Sequence, residues 1–252
     1  MLSGLLSTTI HGGDMTEDKY RWGMVIDQDL CTACQACVVA CHAENNVPAV
    51  GEDEVIRSRG MHWIRIERMW HGGTEHLQAE FRPALCQHCQ NAPCEPVCPM
   101  YATYHDTNNR LNIQVYNRCA GIRYCGVNCP YKVRHFNWFD PEFPEPLNEQ
   151  LNPDVTVRRR GIMEKCSFCI QRIRRVRAEA KAKGLALDTS TVQPACVQTC
   201  PTGALVFGNL DEPESPVAQL ARSPRAYALL EELGTEPSIF YLKRGESYVP
   251  YG

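Results

Sequence analysis

Apolar residues come along this chain in short bursts, broken by polar, glycine and proline positions. Met24-Val25-Ile26 is a compact apolar run and predicts a short strand, turned at Asp27 to Leu30. From His62 to Arg68 the pattern alternates around Ile64 and Ile66, which predicts another strand. His71-Gly72-Gly73 is a turn signal, and Leu77 to Phe81 is the expected returning strand. Leu111, Ile113 and Val115 alternate with Asn112 and Gln114, a half-buried strand entered from a turn at Asn108-Asn109. Ile170 to Lys183 is rich in Arg, Lys, Ala and Glu and predicts a helix ended by Gly184. Gly203 to Phe207 and Ile239 to Leu242 read as further strands. Ser215-Pro216 and Ser223-Pro224 carry N-cap and first-turn signals for two short helices, the second closing at Gly234. Prolines 141, 144, 146 and 153 make the stretch from Asp140 to Pro153 an extended surface segment.

These bursts are too short to cross a bilayer, which takes about 18 consecutive apolar residues, so membrane attachment would have to come through a partner. The apolar start, Met1 to Ile10, lacks a basic flank, no twin-arginine pair precedes it, and Arg158 to Arg160 lie too deep to serve as one. No export signal is visible. With 252 residues and 44% hydrophobic content the chain can bury a sizeable core. A net charge of −3 argues for no nucleic-acid partner.

The cysteines change the picture most. There are 15, an odd count in a long chain, which disfavours a disulfide scaffold. They fall into four groups. Cys31, Cys34, Cys37 and Cys41 have the x2, x2, x3 spacing of the bacterial ferredoxin run, with His42 where a proline is usual. Val38 to Ala40 suits the short helix that carries the fourth ligand away. Cys86, Cys89, Cys94 and Cys98, then Pro99, form a second group with a wider loop. Cys119, Cys125 and Cys129, then Pro130, form a third, with Ile122 where a cysteine belongs. Cys166 and Cys169 are separated by a long segment from Cys196 and Cys200, then Pro201. Zinc favours separated C-x2-C knuckles, whereas successive x2 and x3 spacings suit cubane iron–sulfur clusters.

In two-cluster ferredoxins the fourth cysteine of each run ligates the other cluster. The groups therefore work in pairs, and spacing alone leaves the pairs open. The second and third are neighbours in the chain and form the natural couple, which leaves the first with the fourth. Three [4Fe–4S] sites follow: Cys31, Cys34, Cys37 and Cys200; Cys166, Cys169, Cys196 and Cys41; Cys86, Cys89, Cys94 and Cys129. The fourth site has Cys119, Cys125 and Cys98, and Ile122 cannot ligate iron, so a [3Fe–4S] cluster is expected there, with a higher potential than its neighbours. Iron is thus the expected metal, held through these cysteines alone. His42 and His88 read as hydrogen-bonding surface residues, and the basic face of the helix from Ile170 as solvated, with docking to an acidic partner as the rival reading. Trp63, Trp70, Trp138 and Tyr124 read as core or interface fillers.

Short strand, cysteine loop, short helix and strand again predict an α+β fold of two dicluster ferredoxin-like modules with long loop insertions. Residues 1–20 are read as a leader and 21–252 as the four-cluster domain. One module joins groups 31–41 and 166–200, the other 86–98 and 119–129, and 208–252 forms a C-terminal extension.

The four groups together resemble the iron–sulfur electron-transfer subunit of the molybdopterin oxidoreductase superfamily, over roughly residues 20–245. Further stretches, R-G-M-H-W-I-R-I-E-R at 59–68, N-R-C-A-G-I-R-Y-C-G-V-N-C-P-Y-K-V-R-H-F-N-W-F at 117–139 and L-N-P-D-V-T-V-R at 151–158, are similar to the cluster-bearing part of the alternative complex III B subunit. So are G-I-M-E-K-C-S-F-C at 161–169 and P-A-C-V-Q-T-C-P-T-G-A-L at 194–205. In that branch too the third group lacks its second cysteine. There the cluster region is commonly fused behind a pterin-enzyme-like region, which the present sequence does not include. The resemblance implies three [4Fe–4S] clusters and one [3Fe–4S] cluster in a row. It also implies a multi-helix membrane subunit that handles quinol, a large pterin-enzyme-like subunit, a cytochrome c subunit, and attachment at the outer face of the membrane. Alternatives are the iron–sulfur subunit of a polysulfide, dimethyl sulfoxide or tetrathionate type of enzyme, or a free-standing polyferredoxin. A radical enzyme is disfavoured, because Glu44 stands where C-x3-C-x2-C would need its third cysteine.

Overall fold

The computed structural model describes residues 20–72 and 77–244. Most of the expected leader, Gly73 of the expected turn and the chain from 245 onward lie outside the described residues. The elements run β1 (Trp22–Asp27), α1 (Ala36–Glu44), α2 (Glu52–Ile56), β2 (Ile64–His71), β3 (Gln78–Leu85), β4 (Thr103–Asp106) and β5 (Leu111–Gln114). Then follow α3 (Tyr124–Val127), β6 (His135–Phe136), β7 (Met163–Glu164), α4 (Ile170–Ala182), α5 (Ala195–Thr199), β8 (Leu205–Asn209), α6 (Pro216–Ala221), β9 (Ala226–Tyr227) and β10 (Ile239–Leu242). The mixture of short strands and short helices is α+β, as the pattern predicts.

β1 is the spine. Its residues Trp22 to Ile26 are buried on both faces, which explains an apolar run without alternation. It pairs antiparallel with β8 and parallel with β10, while β9 flanks β10, so the sheet order is β8-β1-β10-β9. Gly23 belongs there because a Cβ would come within 2.7 Å of the Ser238 carbonyl oxygen. The segment from 208 thus contributes β9, β10 and the end of β8 to the central sheet. β2 and β3 pair antiparallel from Ile64 with Leu85 to His71 with Gln78, forming the expected hairpin. β4 and β5 form a second hairpin around Asn108-Asn109.

The helix expected after Ser223-Pro224 does not form. Ala226 and Tyr227 pair instead with Leu242 and Tyr241, and Glu231–Leu233 is a single 3-10 turn ahead of Gly234. Ladder bonds to a buried strand outweigh a local N-cap signal. The Ser215 cap is realised: its side chain accepts from the Ala218 N–H.

A buried ion pair ties the long insertions together. Arg158 and Glu164 meet at 2.9 Å, with neither side chain exposed. Trp63 and Asn137 each donate to the Glu164 carboxylate at 3.1 Å, and the Arg158 guanidinium lies 4.9 Å from the Trp63 ring centroid. Removing one partner of such a pair leaves an uncompensated buried charge, at a cost of about 3–5 kcal/mol.

Candidate iron–sulfur sites

The cysteine loops are bent by residues in left-handed conformation, which turns the backbone back on itself so that several thiols face one space. Ala33 and Gln35 in the first loop, Arg123 in the third and Phe168 and Cys169 in the fourth all have φ between 51° and 70°. Gly121 (φ +72°) must be glycine for a second reason, since a Cβ there would collide with the Gly161 carbonyl oxygen. A helix follows each of these loops: α1 after Gln35, α3 after Arg123, α4 after Cys169.

All 15 cysteines are free thiols, and they converge in four sets. In the first, Cys31, Cys34, Cys37 and Cys200 line one cavity, with Ile66 and Pro83 of the β2-β3 hairpin beside them. Cys34 is exposed and Cys37 buried. The second set is wholly buried: Cys41 from the middle of α1 reaches Cys166, Cys169 and Cys196, because α1 packs against α5. Asn45, one turn beyond Cys41, lies with its Nδ2 3.6 Å from both the Cys41 and Cys169 sulfurs. The third set, Cys86, Cys89, Cys94 and Cys129, surrounds a cavity closed by Asn112, Tyr131 and Arg134. In the fourth, Cys98, Cys119 and Cys125 share a cavity with Ile122, which is 46% exposed. The N–H groups of Ala102 and Met163 point at the Cys98 and Cys119 sulfurs, at 3.2 and 3.4 Å.

The sets form a row. Cys37 of the first adjoins Cys196 of the second, Cys166 of the second adjoins Cys86 of the third, and Arg134 adjoins both Cys94 of the third and Cys125 of the fourth. Exposed Met100, Tyr101, Tyr124 and Val127 belong to the same loops as the fourth set.

Electrostatics decides what these thiols can hold. Burial pushes Cys37 up to about 11, with Cys31 and Cys200 adding to it, and Cys89 up to about 12, with Cys86 adding. Burial likewise takes Cys166 up to about 12 and holds Cys41 and Cys196 well above the usual thiol range. Such thiols stay protonated at neutral pH unless a cation such as iron binds the sulfur and displaces the proton. Cys98 differs: burial raises it, but the N–H groups of Thr103, Ala102 and Met100 outweigh that and lower it. Among the described residues no three His, Cys, Asp or Glu side chains are drawn tightly enough around one point to hold a single ion. The sulfurs stand around a space, with N–H donors aimed at several of them. That arrangement and the all-thiol donor set fit a multi-iron cluster.

Two histidine readings come out differently. His42 is partly exposed and its Nε2 meets His62 Nδ1 at 3.0 Å, a hydrogen-bonding role as expected. His88 is not a surface residue: it is fully buried and stacked on Phe168, with ring centroids 4.1 Å apart. Burial first, then Lys165, His105 and Arg134, hold its imidazole well below the usual range, so it is neutral. Trp63 is core, whereas Trp70, Tyr124 and Trp138 are exposed. The basic face of α4 is mostly solvated, with Arg172 paired to Glu44 and Arg177 to Asn109. Sequence reasoning missed Arg134 and Lys165, both buried beside the third set. The one available signal is position, Lys165 directly before Cys166 and Arg134 five residues after Cys129.

Comparison with known proteins agrees with this chemistry. A 4Fe-4S binding domain family matches residues 22–43, and a 4Fe-4S dicluster domain family matches residues 77–143. The chain is 43% identical to the iron–sulfur cluster-binding subunit of menaquinone reductase from Nitratidesulfovibrio vulgaris, over 91% of both chains. It is 38% identical to a putative iron–sulfur subunit of dimethyl sulfoxide reductase from Halobacterium salinarum, over 88% of this chain and 79% of the relative. It is 37% identical to iron–sulfur subunit 1 of an Hdr-like menaquinol oxidoreductase from Archaeoglobus fulgidus, over 94% of this chain and 88% of the relative. With four thiol sets in a row and relatives of this length and identity, the chain belongs to the iron–sulfur electron-transfer subunits of the molybdopterin oxidoreductases, and it serves a larger complex rather than acting as a catalyst on its own.

Proposed function

We propose that this chain relays electrons through three [4Fe–4S] clusters, on the first, second and third sets, and one [3Fe–4S] cluster on Cys98, Cys119 and Cys125, within a membrane-bound quinol oxidoreductase. The observation that carries the reading is the crossing of ligands. Cys41 leaves its own loop to join Cys166, Cys169 and Cys196, and Cys200 joins Cys31, Cys34 and Cys37. Cys98 and Cys129 exchange in the same way between the other two sets. This is the exchange that makes a dicluster ferredoxin module, made twice. Ile122, at the wall of the fourth cavity, has no donor atom for a fourth iron.

The quinol assignment draws on the relatives, two of which are named for menaquinone or menaquinol chemistry. Among the described residues no helix is long and apolar enough to cross a membrane. In this reading attachment runs through a multi-helix quinol-handling subunit, at the outer face, with a large pterin-enzyme-like subunit and a cytochrome c subunit as further partners. The exposed apolar residues beside the fourth set make that end of the row the face for a partner subunit. The test is low-temperature paramagnetic resonance of the oxidised protein together with iron analysis. An oxidised-state [3Fe–4S] signal is expected, with three irons at one site and four at each of the others. A full complement of four irons at every site, with no such signal, would overturn the reading of Ile122.

A further inference from the structure

Three buried cations lie near the cysteine sets, and they are not alike. Arg158 has its carboxylate, Glu164. Arg134 and Lys165 have none: among the described residues neither meets an Asp or Glu, though they are only 8% and 1% exposed. The Arg134 guanidinium donates to neutral oxygens only, Thr103 Oγ1 at 2.7 Å, Gln114 Oε1 at 3.1 and 3.2 Å and Asn112 Oδ1 at 3.5 Å. Lys165 Nζ donates to the main-chain oxygens of Asn112 and, at 2.9 Å, Cys166. A buried charge with only neutral partners is costly unless an anion lies near.

The placement of both cations says which anion. Arg134 lines the cavity of the third set, and its partner Gln114 lines that of the fourth. Lys165 precedes Cys166 of the second set and bonds to Asn112, which lines the third cavity and whose Oδ1 lies 3.9 Å from the Cys94 sulfur. Each cation thus occupies one of the two gaps beside the third set. We propose that Arg134 and Lys165 are the fixed counter-charges of the third set, and that they raise the reduction potential of the cluster held by Cys86, Cys89, Cys94 and Cys129. The inference rests on the cluster reading above. The physics is one of sign: a thiolate-bound cluster gains one negative charge with each electron, and a fixed cation in a gap of low dielectric favours the more negative state. The electron comes from a neighbouring cluster in the row, and no proton needs to move.

The test is a redox titration of the assembled complex, followed by paramagnetic resonance, with iron measured in each variant. Arg134→Gln is expected to lower the potentials of the third and fourth clusters, and Lys165→Met those of the second and third. The cluster shifted by both is the third, and its one-electron reduction constant is expected to fall at least tenfold, about 59 mV, in each variant. Arg134→Lys, which keeps the charge, is expected to stay near the parent value, and Arg222→Gln, on the exposed surface, to change nothing. Iron lost from the third set in Arg134→Gln but retained in Arg134→Lys supports the same conclusion. Unchanged potentials with iron intact, or equal shifts in Arg134→Gln and Arg134→Lys, overturn it. Absence of clusters from the unsubstituted protein would instead defeat the reading on which it rests.

Discussion

At the scale of single residues, the informative position is one that cannot do what its neighbours do. Ile122 sits in the loop of Cys119 and Cys125 with its side chain partly exposed and no donor atom to offer. Ile122→Cys is expected to add a fourth iron to that set, abolish the oxidised-state [3Fe–4S] resonance and lower the potential. Unaltered resonance, with the new thiol free to an alkylating reagent, would place the cysteine out of reach of the cluster. Asn45 acts by hydrogen bonding. Its Nδ2 faces two sulfurs of the second set, and donors to cluster sulfurs raise the potential. Asn45→Ala is therefore expected to lower the potential of that cluster alone, as read by redox titration.

At the scale of elements, α1 connects two sets. Cys37 lies in its first turn and Cys41 one turn later, so their thiols project toward different sites. Packing of α1 on α5 brings Cys41 to Cys196 and makes the two loops one unit. Cys41→Ser is expected to perturb the cluster of Cys166, Cys169 and Cys196 and to spare that of Cys31, Cys34 and Cys200. Iron analysis with spectra of the remaining clusters checks it, and loss of the other cluster instead would refute the crossing. This level also shows where local signals mislead. Ser223-Pro224 carries the marks of a helix start, yet the chain there pairs with β10, because a buried strand offers a full ladder and an isolated helical turn does not.

At the scale of the whole molecule, the cysteines are part of the core. Nine of them belong to the same buried cluster as Trp22, Trp63, Leu85 and Tyr241. Removing iron with a chelator is accordingly expected to loosen the entire fold rather than one loop, seen as a broadened thermal transition in circular dichroism. The Arg158–Glu164 pair joins the insertion after α1 to the segments around Asn137 and Glu164, far from each other in sequence. Glu164→Ala is expected to destabilise the protein by about 3–5 kcal/mol, measured by denaturant unfolding of the loaded protein, with Arg158 left buried and unpaired. A loss under about 1 kcal/mol would mean that solvent reaches Arg158 once the carboxylate is gone.

What the sequence determined by itself is local. Cluster loops are written in spacings of two and three residues, since one tight turn must present three thiols to one point, and this is legible without any fold. So are β1, the β2-β3 hairpin and α4, whose apolar and charged positions recur over short windows. The exchange of last ligands could be argued only from chain order. Convergence of Cys41 with Cys166 or of Cys200 with Cys31 spans more than a hundred residues and depends on how α1, α5 and the central sheet pack. The same holds for Arg134 and Lys165. A lone basic residue near a cysteine reads as solvated, and only tertiary burial, which strips away water and, among the described residues, brings no carboxylate within ion-pair distance, turns it into a fixed charge between two redox sites.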